Sequence, residues 1–215
     1  MSLLDQLSKN KGTVSSALGK RLAADVLDRG QTGLLFECIE LASYHASEPK
    51  DKHIRSGAAK VVEIVAEKRP ELVARHLHRL LPALSVAEPQ TRWMIIRVMG
   101  FCARLNPAVA QEAVACAEQY LDPKEGLVLA SSADLFLGDL GALSKKDAHR
   151  VFPILELSSE NPVVNEPDWL LEAFFRLYHN LGQAEQEKVR KYAERCQSAP
   201  RKSTQQRARK ILRLA

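Results

Sequence analysis

The sequence predicts an all-α protein assembled from repeated helical hairpins, and three observations predict it. Apolar residues recur at helical spacing nearly everywhere, whereas polar-apolar alternation is scarce. An acidic residue followed by proline stands before four of the periodic stretches, at Glu48-Pro49, Glu88-Pro89, Asp122-Pro123 and Glu166-Pro167. The third observation is internal likeness. "KRPELV" around Pro70 aligns with "LNPAVA" around Pro107, "HRLLPAL" from His78 matches "HRVFPIL" from His149, and Trp93 to Leu105 maps onto Trp169 to Leu181. The last two matches run at unequal offsets because "SSENPVVNEPD" carries an insertion. A unit recurring every 37 to 40 residues or so reads as a stack of helix pairs.

Taken in order, the expected helices cover residues 13–29, 32–46, 51–68, 71–86, 90–105, 108–121, 125–142, 146–158, 168–181, 183–198 and 202–214, with a short helix before them. Pro49, Pro89, Pro123 and Pro167 mark starts, where proline's missing N–H costs nothing. Pro70 and Pro107 do the same for 71–86 and 108–121. Helix 90–105 is the clearest. Met94, Val98, Phe101, Cys102 and Leu105 share one face, with Ile95 and Met99 on its flank, if successive residues turn by about 100°. In 71–86 and 146–158 the proline lies inside the helix. Gly138 and Gly141 in "LGDLGAL" permit close helix packing. Helix 202–214 is amphipathic, with Ile211, Leu212 and Leu214 opposite Arg207, Lys210 and Arg213.

The repeating unit resembles HEAT and armadillo-type repeats: a first helix of the form "HRLLPAL" with internal proline, a short turn, then a second helix. Ile54-Arg55 and Thr91-Arg92 are similar to the pair that opens a second HEAT helix, although the third such position is Leu129. The resemblance covers roughly residues 31 to 215. It implies a right-handed α-α superhelix, a HEAT-like solenoid of about five hairpins, as one domain over 1–215: a cap at 1–30, core repeats over 31–182 and a basic capping repeat over 183–215. It also implies that second helices line a concave wall.

Opposite their apolar faces, these second helices present Ser56, Lys60, Glu63 and Glu67; then Trp93, Arg97, Gly100 and Arg104; then Asp134 and Gly138; then Trp169, Glu172, Arg176 and His179. Lys60, Trp93, Arg97, Arg104, Asp134, Trp169, Glu172, Arg176 and His179 are therefore the expected partner-binding residues. Tryptophan and arginine combine apolar area with directional donors, as binding hot spots require. Two repeats would separate the indoles by roughly 20 Å at ordinary helix spacing. That span suits a peptide, a helix or a nucleic-acid backbone better than a metabolite.

The net charge is +5, yet from Lys188 onward ten basic residues face only Glu194, with Glu187 just before them. Arg201, Lys202, Arg207, Lys210 and Arg213 are candidates for phosphate contact, which would release counterions from nucleic acid. The plainer reading is a polar outer cap. Some HEAT-like proteins are DNA alkylation-repair glycosylases, which set Trp, Asp and Arg around a damaged base. Trp93, Asp134, Trp169 and Arg176 are of those types, but the family's local motif is not matched here.

Other chemistry finds little support. Cys38, Cys102, Cys116 and Cys196 form no C-x-x-C and read as small hydrophobes in a reducing cytoplasm. His76 and His78 point to different helix sides, and no H-E-x-x-H, Gly-Lys-Ser/Thr or G-x-S-x-G motif occurs. No cofactor or metal is expected. No secretory leader is visible, and Leu127 to Leu143 is too interrupted by polar residues to span a membrane. The expectation is a non-enzymatic cytoplasmic scaffold for a protein or peptide, with nucleic-acid binding as the alternative.

Overall fold

The computed structural model describes residues 2–10 and 17–214, and among them every regular element is helical. Residues 13–16, the expected start of the 13–29 helix, lie outside the described set. The chain divides into two compact units, Met1–Cys116 and Ala117–Ala215.

The first unit contains α1 (Leu3–Lys9), α2 (Ala17–Arg29), α3 (Thr32–Leu41), α4 (Lys52–Lys68), α5 (Pro70–Ala74), α6 (Pro89–Cys102) and α7 (Pro107–Glu112). The next helix, α8 (Val114–Tyr120), runs across the boundary. Ser2 caps α1: its hydroxyl accepts from the Asp5 N–H at 3.1 Å while the Asp5 carboxylate accepts from the Ser2 N–H at 3.2 Å. Helix α4 packs between α2 and α6 to form one row. Opposite it, α3 lies against α4, and a 3-10 stretch, Leu77–Ser85, lies against α6. Between the rows Leu35, Ile39, Val61, Val65, Leu77, Met94 and Val98 are buried.

Three expected helices are broken, 168–181 giving way to a 3-10 turn at Tyr178, and the expected 32–46 helix stops at Leu41. Residues 71–86 divide into α5 and the 3-10 stretch that contains Pro82. Pro82 has no N–H to close an α-helical bond and its ring crowds the carbonyl four residues back, so a regular α-helix is disfavoured there. Residues 108–121 divide at Ala113, whose N–H donates to the Ala110 carbonyl at 3.1 Å, an i to i−3 turn between α7 and α8.

The centre of this unit is a buried arginine. Arg55, at the start of α4, is wholly shielded from solvent. It donates from Nε and Nη2 to the two Glu88 carboxylate oxygens at 2.8 and 2.7 Å. Its Nη1 donates to the carbonyls of Tyr44, His45 and Glu48 at 3.1, 2.8 and 3.1 Å, holding the turn after α3, in which His45 has a φ of +42°. The Thr91 hydroxyl donates to Glu88 at 2.7 Å. Burial pushes the Glu88 carboxyl up, but Arg55 and Thr91 outweigh it and leave it below its ordinary 4.5.

The second unit holds α9 (Leu127–Gly141), α10 (Lys145–Glu160), α11 (Pro167–Leu177), α12 (Gln183–Cys196) and α13 (Lys202–Leu212). Here α11 packs between α9 and α13, while α10 covers α9 and α12 covers α13. Pro153 lies inside an unbroken α10. The α9–α11 crossing is close because Gly138 has no side chain: a Cβ there would stand 2.7 Å from Ala173 Cα.

Within both units, side chains tie together residues 32 to 39 positions apart. Arg79 meets Glu40 and Asn180 meets the Gly141 carbonyl at a separation of 39, Arg176 meets Asp139 at 37, Thr204 meets Asp168 at 36, and Asn106 meets the Ala74 carbonyl at 32. Cys38, Cys102 and Cys196 are buried and Cys116 is half-buried, all as free thiols. Burial pushes Cys38 and Cys102 up to about 12, so both are inert.

Candidate functional site

In the first unit the site lies on the α4–α6 row. Trp93, in the second turn of α6, is half-buried. Lys60 crosses from α4, its Nζ 5.7 Å from the indole centroid and 2.7 Å from a Glu63 oxygen. Burial pushes the Glu63 carboxyl up, against the pull of Lys60 and Arg97. One turn beyond Trp93, Arg97 stacks its guanidinium 4.6 Å from the Phe101 ring. The face therefore alternates ring and cation: Lys60 on Trp93, Arg97 on Phe101. Gly100 is buried. Arg104 is exposed but stands past the end of α6 at Cys102, in a turn rather than on the helical face where it was expected.

In the second unit the equivalent row is α9–α11–α13. Trp169 is half-buried on α11, and Arg207 from α13 sits 5.4 Å from its centroid. From there charges alternate across the row. Arg207 approaches Asp168 at 3.6 Å and Glu172 at 3.7 Å. Arg176 lies between Glu172 at 3.3 Å and Asp139 at 2.6 Å. Asp168 is buried and accepts from the hydroxyls of Ser203, at 2.7 Å, and Thr204, with Arg201 at 3.6 Å. Partly exposed pairs of this kind contribute about 0–1 kcal/mol each, so the ladder orients side chains more than it stabilises the fold. His179 is exposed in the 3-10 turn Tyr178–Asn180 that follows α11, edge-on to Tyr178.

Asp134 does not belong to this surface. It is fully buried, and among the described residues neither of its oxygens accepts a hydrogen bond. Burial, with help from the nearby Glu166 carboxylate, raises its pKa well above the ordinary 3.8. The wheel placed Asp134 and Gly138 outward because α9 is apolar almost all round, and a pattern with few polar residues has no outward side to read. The face bearing Gly138 is the one that abuts α11. The carboxylate that reaches the row is Asp139, one residue on. Asp139, Asp168 and the inward turn of Arg207 were not anticipated; the signal for Asp139 was its separation of 37 from Arg176, which equals the spacing of the internal match around Pro70 and Pro107.

The candidate phosphate-binding set divides in two. Arg201 and Arg207 are directed at Asp168, whereas Lys202, Lys210 and Arg213 are exposed. Among the described residues no group of three His, Cys, Asp or Glu side chains is arranged to hold a metal ion. No described helix is long and apolar enough to cross a membrane.

No family model matches this chain, and no curated protein sequence does. Its fold does have a solved counterpart. The crystal structure of an engineered protein, a Northeast Structural Genomics Consortium target, superimposes with a TM-score of 0.65 at 12% identity, covering 99% of this chain and 96% of that one. At that identity the likeness concerns the fold alone: many helices packed together, with no strand among the described residues.

Proposed function

We propose that the chain is a non-enzymatic binding scaffold. In this reading each unit is a short run of HEAT-like helix pairs, and the rows bearing Trp93 and Trp169 each take up a segment of a partner protein. One observation carries it. Each unit presents a half-buried indole near the start of a row helix, covered by a cation from the adjacent row helix: Lys60 over Trp93, Arg207 over Trp169. An indole with part of its face open, ringed by carboxylates and guanidinium groups, supplies the apolar area and the polar rim that interface hot spots combine. The HEAT-like reading draws on the contacts between residues one repeat apart and on the proline-started helices. Nucleic-acid binding through the C-terminal cations is less well supported, since Arg201 and Arg207 already face carboxylates of their own unit.

The test is selection from a displayed random-peptide library on immobilised protein, run in parallel on the Trp93→Ala/Trp169→Ala variant. A common motif enriched on the wild type and absent from the variant supports the reading. Failure to enrich any motif, together with retention of duplex DNA whose log affinity falls by about 0.9 per tenfold rise in salt for each neutralised phosphate and vanishes in Lys202→Glu/Lys210→Glu/Arg213→Glu, would replace it with the nucleic-acid alternative.

A further inference from the structure

Helix α13 ends the row of the C-terminal unit. Its buried side is Thr204, Ala208 and Ile211, packed with α11 and α12. On the opposite side Lys202, Arg209, Lys210 and Arg213 are all exposed. At about 100° and 1.5 Å per residue, these four lie within one arc of about 100° and along about 17 Å of helix. Helical geometry alone makes them one surface.

Nothing in this unit answers that charge. No Asp or Glu follows Glu194 in the sequence, and among the described residues none of the four has an ion-pair partner. The carboxylates that reach α13, Asp168 and Glu172, are taken by Ser203, Thr204, Arg201, Arg207 and Arg176. A terminal helix needs a polar outer face, but not a face of one sign. Helix α12 beside it shows a mixed one: Lys191 lies 3.7 Å from Glu187, and Lys188 reaches Glu156 at 2.8 Å. On α13, by contrast, Arg213 stands four residues from Arg209 and three from Lys210, where like charges repel at a small cost to the fold. The face is complementary to an anionic partner.

Its place identifies the anion. Lys210 stands one turn from Arg207, which lies 5.4 Å from the centroid of Trp169. The row around that indole carries three carboxylates, Asp139, Glu172 and Asp168. A nucleic acid brings a phosphate at every step and would press some of them against these groups. A polypeptide can be uncharged over the row and charged only beyond it.

We propose that the segment seated on the Trp169 row is an acidic one. An apolar residue meets the open part of the indole, and Asp or Glu residues beyond it meet Lys210, Lys202, Arg209 and Arg213. This rests on the scaffold reading and names the chemistry of the partner.

The displayed random-peptide library, selected on the wild-type protein, supplies the probe. Its enriched motif should join an apolar residue to at least two carboxylates, and a synthetic peptide carrying that motif is titrated by fluorescence anisotropy. Exposed ion pairs are individually weak, so the effect is that of several together. Replacing the peptide's Asp and Glu by Asn and Gln should weaken binding about tenfold, and so should Lys202→Gln/Arg209→Gln/Lys210→Gln/Arg213→Gln in the protein. The two changes together should cost little more than either alone. All four side chains are exposed, so the variant should melt like the wild type. A motif without carboxylates, or a peptide bound equally by the variant, would overturn the inference and leave the scaffold reading intact. A library that yields no motif overturns both. Tighter retention of an oligothymidylate of equal charge, lost in the same variant, would overturn the inference and give the face to nucleic acid.

Discussion

Arg55 and Glu88 meet through two parallel hydrogen bonds in the interior of the N-terminal unit, the arginine fully buried and the carboxylate nearly so. A buried pair is costly to desolvate, and here three backbone carbonyls and the Thr91 hydroxyl complete the coordination. Arg55→Met should therefore destabilise the protein by about 3–5 kcal/mol, because Glu88 is left charged and unpaired and the turn after α3 loses its donor. Adding Glu88→Leu should recover most of that loss. Urea denaturation of the single and double variants measures it; two equally unstable proteins would show that the carbonyl contacts, not the ion pair, carry the energy.

Glu88 in the N-terminal unit and the Asp134–Glu166 pair in the C-terminal unit should respond oppositely to pH. Glu88 is held below its ordinary value of 4.5, so its contribution is present above that pH and is lost as pH falls through its lower folded value. In the C-terminal unit Asp134 is raised well above 3.8 and Glu166 above 4.5, burial being the main cause in each; Ser158 and the Val163 N–H partly counter it at Glu166. The groups facing this pair include Tyr192, whose hydroxyl burial also pushes up. A raised carboxyl contributes fully below its ordinary value and progressively less as pH climbs through the folded one. Hydrogen exchange, corrected for its intrinsic pH dependence, should show residues 127–212 loosening as pH rises from mildly acidic to alkaline. Residues 17–112 should loosen in acid through Glu88, while Glu63, raised mainly by burial, adds an opposing trend around α4 as pH climbs through its folded value. Asp134→Asn should flatten the first trend; an unchanged slope would assign it to another group.

Two glycines make a paired test of close packing. A methyl group at Gly138 meets Ala173 backbone at 2.7 Å, which can yield only if α9 and α11 separate. Gly138→Ala should cost about 1–3 kcal/mol despite alanine's better helix propensity. At Gly57 the obstacle is Leu7 Cδ2 at 2.8 Å, the far end of a flexible side chain. Gly57→Ala should be near neutral, or stabilising by up to about 1 kcal/mol. Thermal melts of both variants would decide, and equal losses would refute the distinction.

Much of the fold was legible because prolines punctuate it: Pro70, Pro89, Pro107 and Pro167 each stand at the first position of a helix. Helix 90–105 could be oriented in part: Met94, Val98 and Cys102 are buried opposite Trp93, but Phe101, expected among them, lies under Arg97, and Leu105 is exposed in the turn past the helix end. Arg55 could not be placed. A lone arginine reads as surface until its carboxylate is known, and Glu88 lies 33 residues away. Nor could α9 be oriented, with only Ser131, Ser132, Asp134 and Asp139 to mark a polar side, two of them buried. The cations expected to serve an outside phosphate were partly misassigned for a related reason. Arg207 was read from its own helix, whereas its neighbours Asp168 and Glu172 belong to the preceding row helix.

The central claim is that Trp93 and Trp169 bind a partner rather than merely pack. It is tested most directly by titrating a peptide selected on the wild-type protein against Trp93→Ala and Trp169→Ala, with each variant's unfolding free energy measured alongside. At least one variant should lose about 2 kcal/mol or more of peptide affinity, roughly thirtyfold in Kd, while neither loses as much stability as a buried tryptophan would. Unaltered affinity in both variants, with about 3–5 kcal/mol of folding free energy lost, would contradict the account and make the indoles part of the core.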